Sequence, residues 1–481
     1  MNRASGVLMH ISSLPGAYSI GSFGQEAKHF VDRLAAGGFA YWQTLPFCMT
    51  DECNSPYKSY SAFGGNPYFI DLPTLEEQGL LTKEELDEAR QTSPWLCEFS
   101  RLHRERLPLL KKAAQRAYQN ATLKKAMDAF LTEWPELADA ARFLALREAN
   151  GDREWQEWTV EEADGEALFA WQFIQYEFFR QWQTIKSYAN QKGIRVVGDI
   201  PIYVALDSCD VWANRSQFQL DQRNRPTAVA GVPPDYFSEE GQLWNNPLYD
   251  WKTMKKDGYA WWSRRMAYML TLFDGVRIDH FRGLESYWSV PAGAKTAKEG
   301  KWVKGPGRAF VDRLKEVANG RLIIAEDLGD ITPAVYSLLQ YSGLPGMRVI
   351  QFAFLGDPES IHLPHTYPNH CVAYTGTHDN NTLLGYLWET DEVSRRRIFA
   401  YCGYEGEDWR EGCYAVMRTM LQSHADTVIF PIQDLLRYGA DTRMNTPGTS
   451  ERNWAYRVTE EQLNEIDMEA WNARNDLYGR R

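Results

Sequence analysis

Short apolar runs bounded by glycine, proline and aspartate alternate along the chain with longer stretches in which apolar residues return every three or four positions. Residues 7–12 are strand-like and close at Leu14-Pro15-Gly16, and a helical run at 25–36 then stops at Gly37-Gly38. Residues 39–45 are a second strand, ended by Pro46. Strand, helix and strand at this spacing predict a parallel pair with a right-handed crossover. Further strands are predicted at 194–200, within 274–283, and at 322–326, 347–353, 371–375 and 426–431. Helical runs at 168–189, 255–273, 310–317, 334–341, 392–400 and 409–423 separate most of them.

Eight strands separated mainly by helices predict an α/β fold, the (β/α)8 TIM barrel, built from residues 1–73 and 164–481. Residues 74–163 turn to Glu, Lys, Arg, Leu and Ala at helical spacing and predict a mainly helical insertion after the second strand. Residues 207–250, rich in Pro, Gly, Asn and Asp, predict a long loop after the third strand that could serve as a lid.

In such barrels the chemistry sits at the C-terminal ends of the strands, where Asp199, Asp279, Glu326 and Asp379 fall. Residues two apart in a strand face the same way, so Arg277 and Asp279 share one pocket. An isolated Arg-x-Asp is more often a plain ion pair within a strand. Here the pattern has company, because the strand leading to Glu326-Asp327 and the one leading to His378-Asp379 also end in acids.

Three carboxyl groups beside Arg277 and His378 fit retaining glycoside chemistry, in which one carboxylate attacks the anomeric carbon and a protonated carboxyl serves the leaving oxygen. The neighbouring cation marks Asp279 as the ionised member. A metal-dependent barrel hydrolase using Asp279, His280, His378 and Asp379 as ligands competes with it, although the His-x-His pair such sites often show is absent from the sequence. No Gly-x-Ser-x-Gly elbow occurs, and Gly305-Pro306-Gly307 lacks the spacing of a phosphate loop.

Composition narrows the ligand. The chain has 481 residues, a net charge of -12 and no basic block, which argues against nucleic acid and anionic membrane as partners. Aromatic residues make up 14% of it, many in loop-like stretches such as Tyr57-Lys58-Ser59-Tyr60, and suit a ligand with apolar faces and polar edges, such as a sugar. Seven scattered cysteines without a Cys-x-x-Cys, together with the lack of a signal-like or membrane-spanning run, predict reduced thiols in a cytoplasmic protein.

The segments Gly198-Asp-Ile-Pro-Ile-Tyr-Val204, Gly275-Val-Arg-Ile-Asp-His-Phe281, Ala325-Glu-Asp-Leu-Gly329 and Thr377-His-Asp-Asn380 resemble the ordered regions of the α-amylase clan. More narrowly, Ser55-Pro-Tyr57, Gly65-Asn-Pro-Tyr68, Val232-Pro-Pro-Asp-Tyr-Phe237, Asn246-Pro-Leu-Tyr249 and Arg443-Met-Asn-Thr-Pro447 resemble glycoside hydrolase family 77, the 4-α-glucanotransferases. The likeness runs from Gly6 to about Arg457.

It implies that Asp279 is the nucleophile, Glu326 the general acid/base and Asp379 the transition-state stabiliser. Tyr57, Asp199, Arg277 and His378 would surround the attached sugar, and Asp327 would be structural. Asp235 and Trp244 would close over the acceptor, while Asn445 and Asn453 would line the pocket. The segment around Asp199 lacks the Asn-His pair of many α-amylases and with it a common calcium ligand, so neither metal nor cofactor is expected. The expected partners are maltodextrins, amylose or related α-1,4-glucans.

Overall fold

The computed structural model describes residues 3–50, 53–234, 238–355, 359–449 and 451–481. Eight strands, β1 (Ala4–Leu8), β2 (Tyr41–Gln43), β3 (Arg195–Ile200), β4 (Gly275–Ile278), β5 (Leu322–Ala325), β6 (Gly346–Val349), β7 (Cys371–Tyr374) and β8 (Thr427–Pro431), close into a parallel barrel in chain order. β8 pairs with β1 to complete the ring, Ala4 opposite Thr427.

Alternation along each strand builds two shells. Tyr41, Val197, Ile324, Met347, Val349, Val372, Tyr374 and Ile429 fill the barrel interior. Their neighbours Trp42, Val196, Val276, Ile278, Ile323, Ala373 and Val428 join the larger core that includes the surrounding helices.

The first strand differs from expectation, because it begins at Ala4 and residues Ile11–Ser13 turn into a 3-10 segment. Close pairing is the physical reason: a side chain at Gly6 would come within 2.6 Å of the Tyr41 Cβ, so only glycine lets β1 approach β2 there. The predicted helix at 255–273 is two helices, Trp251–Lys256 and Ala260–Leu272. Left-handed backbone at Gly258 and Tyr259, φ 70° and 59°, separates them.

Between β2 and β3 the chain runs through helices Leu72–Glu77, Lys83–Glu88, Leu107–Ala117, Ala121–Glu133 and Pro135–Ala149. The 27-residue helix Gly165–Gln191 then returns it to the barrel. That long helix is pinned by Trp182, which is fully buried, packs edge-on to Phe47 at 4.6 Å and donates its indole N–H to the Leu272 carbonyl at 2.8 Å.

Residues 207–250 are not the structureless loop predicted. They carry the helix Cys209–Ala213 and two strands, Ala228–Val232 and Gln242–Pro247. These join Ser286–Pro291 and Lys301–Lys304 in an antiparallel four-stranded sheet beside the cleft described below. Among the described residues no helix is long and apolar enough to cross a membrane.

Candidate active site

Register brings the first charged pair together. β3 and β4 place Asp199 directly opposite Arg277, both pointing into the upper barrel. One Arg277 nitrogen, Nη1, reaches both Asp199 oxygens at 2.9 and 2.8 Å and Asp279 Oδ1 at 3.1 Å. The Arg277 Nε meets the Met347 sulfur at 3.4 Å. Burial works to lower the Arg277 pKa, but the charges of Asp199 and Asp279 outweigh it and hold the guanidinium well above its ordinary range.

Asp279 and Glu326 are the residues immediately after Ile278 and Ala325, which are paired across β4 and β5. The two carboxyl-bearing residues therefore leave adjacent strands in register, where neighbouring backbones lie about 4.8 Å apart. Glu326 is held by backbone: the N–H of His280 donates to Oε2 at 2.7 Å and that of Leu328 to Oε1 at 2.8 Å. His280 has φ 49°, an uncommon conformation for a residue with a side chain.

Burial pushes the Asp279 carboxyl up to about 6 against the pull of Arg277. It pushes Glu326 up to about 7; Arg277 again opposes the rise, the Asp279 charge adds to it, and the two N–H groups oppose it. The expectation that Arg277 simply keeps Asp279 ionised therefore needs correction. Asp199 takes the better share of the guanidinium, and Asp279, with 28% of its side chain open to the cleft but ringed by protein, differs from Glu326 by order of titration.

The third acid comes from the turn after β7. Asp379 Oδ2 lies 3.3 Å from His378 Nε2, and Oδ1 accepts from Asn445 Nδ2 at 2.6 Å. Burial works to raise this carboxyl, but the His378 charge and hydrogen bond, with help from Asn445, bring it below the ordinary carboxylate range. The same pair acts on His378, whose pKa burial would lower and Asp379 raises on balance.

Tyr57 stacks on the His378 ring, centroids 4.9 Å apart and planes at 16°, and donates its hydroxyl to Asp199 Oδ2 at 2.6 Å. Burial and the Asp199 charge hold its phenol well above the usual value, so it remains a donor.

These groups border an open cleft of about 570 Å³, within the range typical of small-ligand sites. Tyr57, Arg277, Asp279, Glu326, His378, Asp379, Asn445 and Trp244 all line it. Trp244, on the strand Gln242–Pro247, meets the His280 ring edge to face at 5.0 Å. Of the four groups weighed as metal ligands, Asp279 faces Arg277, His378 and Asp379 face each other, and the His280 ring lies against Trp244. Among the described residues no group of three or more His, Cys, Asp or Glu side chains could hold a metal ion.

The profile of the 4-alpha-glucanotransferase family matches residues 9–463. The chain belongs to that family. A 4-alpha-glucanotransferase from Streptococcus pneumoniae is 45% identical over 480 residues, covering 96% of this chain and 94% of the relative. One from Synechocystis is 42% identical over 503 residues, covering 100% and 98%. Among solved structures, the amylomaltase of Streptococcus agalactiae in complex with acarbose superposes with a TM-score of 0.94 at 36% identity, covering 99% of each chain.

Within this 4-alpha-glucanotransferase fold some residues stand elsewhere than expected. Asp199 is 1% exposed and lies behind Arg277 and Tyr57, where it orients both and does not line the cleft. Asn453 closes its own turn, accepting from Thr446 N at 2.9 Å and donating to Thr449 O at 2.8 Å. Asp327, by contrast, is buried against Arg348 at 3.1 Å, in keeping with the structural part expected of it. Asp235 lies outside the described residues.

Sequence reasoning missed Trp454, whose left-handed backbone (φ 64°) sets its ring against both Tyr57 and His378 at 5.8 Å. It also missed the N–H groups of His280 and Leu328, for which side-chain identity gives no signal.

Proposed function

We propose that the enzyme moves α-1,4-linked glucan segments from a donor maltodextrin to an acceptor glucan or glucose by double displacement. Asp279 attacks the anomeric carbon while Glu326, the group of higher pKa, protonates the leaving oxygen; the ionised Glu326 then takes a proton from the acceptor hydroxyl. Asp379, held ionised by His378 and Asn445, stabilises the positive charge that builds on the ring. Arg277, Tyr57 and His378 line the donor sugar, and Trp244 forms part of the acceptor wall.

The observation that carries this proposal is the adjacent pair Asp279 and Glu326, each the residue just after paired strand ends of β4 and β5 and pushed up by burial to about 6 and about 7. A retaining mechanism needs its two carboxyl groups close together, and adjacent strands supply that. Membership of the 4-alpha-glucanotransferases and the acarbose bound by the Streptococcus agalactiae relative support an α-glucan substrate. Such a reaction would serve maltodextrin, starch or glycogen metabolism. Six buried thiols, Cys48, Cys97, Cys209, Cys371, Cys402 and Cys413, suit a reducing cytoplasm.

Purified protein given maltotriose alone is the test. A ladder of longer maltodextrins with released glucose and little gain in reducing ends is the expected result. Conversion to maltose and glucose alone would reduce the enzyme to a hydrolase.

A further inference from the structure

Residues 375–383, which carry His378 and Asp379, are tied at both ends by two buried side chains from neighbouring strand ends. Gln351 follows β6 in the 3-10 turn Ile350–Phe352 and is 4% exposed. Its Nε2 donates to the Thr375 carbonyl at 3.0 Å and to the Asn381 carbonyl at 2.9 Å, using both amide hydrogens on the entry and exit of one turn. Asp434 follows β8 in the helix Ile432–Leu436 and is 1% exposed. Its Oδ2 accepts from the Thr375 hydroxyl at 2.5 Å and its Oδ1 from the Leu383 N–H at 2.7 Å.

Two further contacts stiffen the turn. A side chain at Gly376 would come within 2.7 Å of Gln351 Nε2, so the glycine lets the amide run beneath the backbone. Asn380 Oδ1 accepts from both the N–H and the hydroxyl of Thr377 at 2.9 Å. His378 and Asp379 sit between these fixed points at the tip.

We propose that Gln351 and Asp434 are positioning residues that fix the height and tilt of the turn bearing His378 and Asp379, and that their effect on kcat is exerted through Asp379. The inference rests on the role of Asp379 proposed above. Packing does not account for Asp434, because an ionisable group this deep is unfavourable unless its partners hold it: burial pushes its carboxyl up to about 6 even with both hydrogen bonds made. What the pair holds is one turn at the wall of the cleft, which Thr377, His378, Asp379 and Asn380 line.

The test is a set of double-mutant cycles followed with maltotriose at high enzyme concentration. Gln351→Leu and Thr375→Val are each measured alone and combined with Asp379→Asn. Gln351→Leu is expected to lower kcat by about 10²-fold, the scale of an ångström of misplacement, with KM within roughly 3-fold. Thr375→Val, which removes only the hydroxyl that Asp434 accepts, is expected to lose less. In the Asp379→Asn background either substitution is expected to add under roughly 2-fold, because the group being positioned is already gone.

Unchanged kcat in a folded Gln351→Leu protein overturns the proposal. So does the same fold-loss in both backgrounds, which general loosening of the barrel would give. Where Gln351→Leu fails to fold by circular dichroism, Thr375→Val decides on the same criteria. Unchanged kcat in Asp379→Asn alone overturns the role of Asp379 and this proposal with it, whereas a large Asp379→Asn effect with multiplying losses overturns the clamp and leaves that role standing.

Discussion

Asp279 and Glu326 differ by environment, not by chemistry. Burial pushes both upward and Arg277 opposes the rise in both, while the Asp199 charge adds to it at Asp279 and the Asp279 charge adds to it at Glu326. The proposed mechanism needs Asp279 ionised and Glu326 protonated, so kcat/KM should fall as pH drops through about 6 and again as it rises through about 7. The two limbs belong to the pair, since the groups share one field. A pH profile flat from 5 to 8 would dismiss this pair as the acid and nucleophile.

Glu326→Gln is expected to lower kcat by about 10²–10⁴-fold with a smaller change in KM. Steady-state kinetics with maltotriose checks it. His378 offers a second measurement: burial lowers its pKa and Asp379 lifts it, so Asp379→Asn should drop the histidine below 6.5. A proton NMR titration that leaves it unmoved would contradict the coupling.

Strands explain why these residues meet and the small sheet explains what they meet. Arg277 and Asp199 are partners because β3 and β4 pair at that register; a slip of one residue would send both to the helix side. The sheet formed by Ala228–Val232, Gln242–Pro247, Ser286–Pro291 and Lys301–Lys304 supplies the wall carrying Trp244. Its strands were illegible in the sequence, because Gln242-Leu-Trp-Asn-Asn-Pro247 and Lys301-Trp-Val-Lys304 are short, polar and broken by turn-forming residues. They pair because distant segments meet them. Trp244→Ala should remove a stacking surface of about 0.5–1.5 kcal/mol and raise the acceptor KM by roughly 3- to 10-fold, with glucose as acceptor. A change confined to donor KM would move Trp244 to the other side of the cleft.

Across the whole molecule one helix ties barrel and helical layer together. Trp182 touches Phe23, Trp42, Phe47 and Phe273 and reaches the Leu272 carbonyl. Trp182→Ala should therefore cost about 3–5 kcal/mol and lower the melting temperature, while kcat per folded molecule changes little. Calorimetry beside active-site titration separates the two effects.

Eight strands and the acids near their ends could be read from the chain because their causes are local: short apolar runs, stops at glycine or proline, and Asp or Glu at or shortly after a strand end. Register, burial and remote partners are not local. Asp199 lies 78 residues from Arg277, Gln351 24 from Thr375 and Leu383 51 from Asp434, so only the closed barrel set these contacts. For the same reason Arg277 beside Asp279 was visible in the sequence, but not that Asp199 would claim most of it. The sequence determined which groups could react, since side-chain identity and strand position are written locally; the tertiary structure decided how far each carboxyl is pushed from its ordinary pKa, because that depends on the low-polarity surroundings and charges that folding assembles around it.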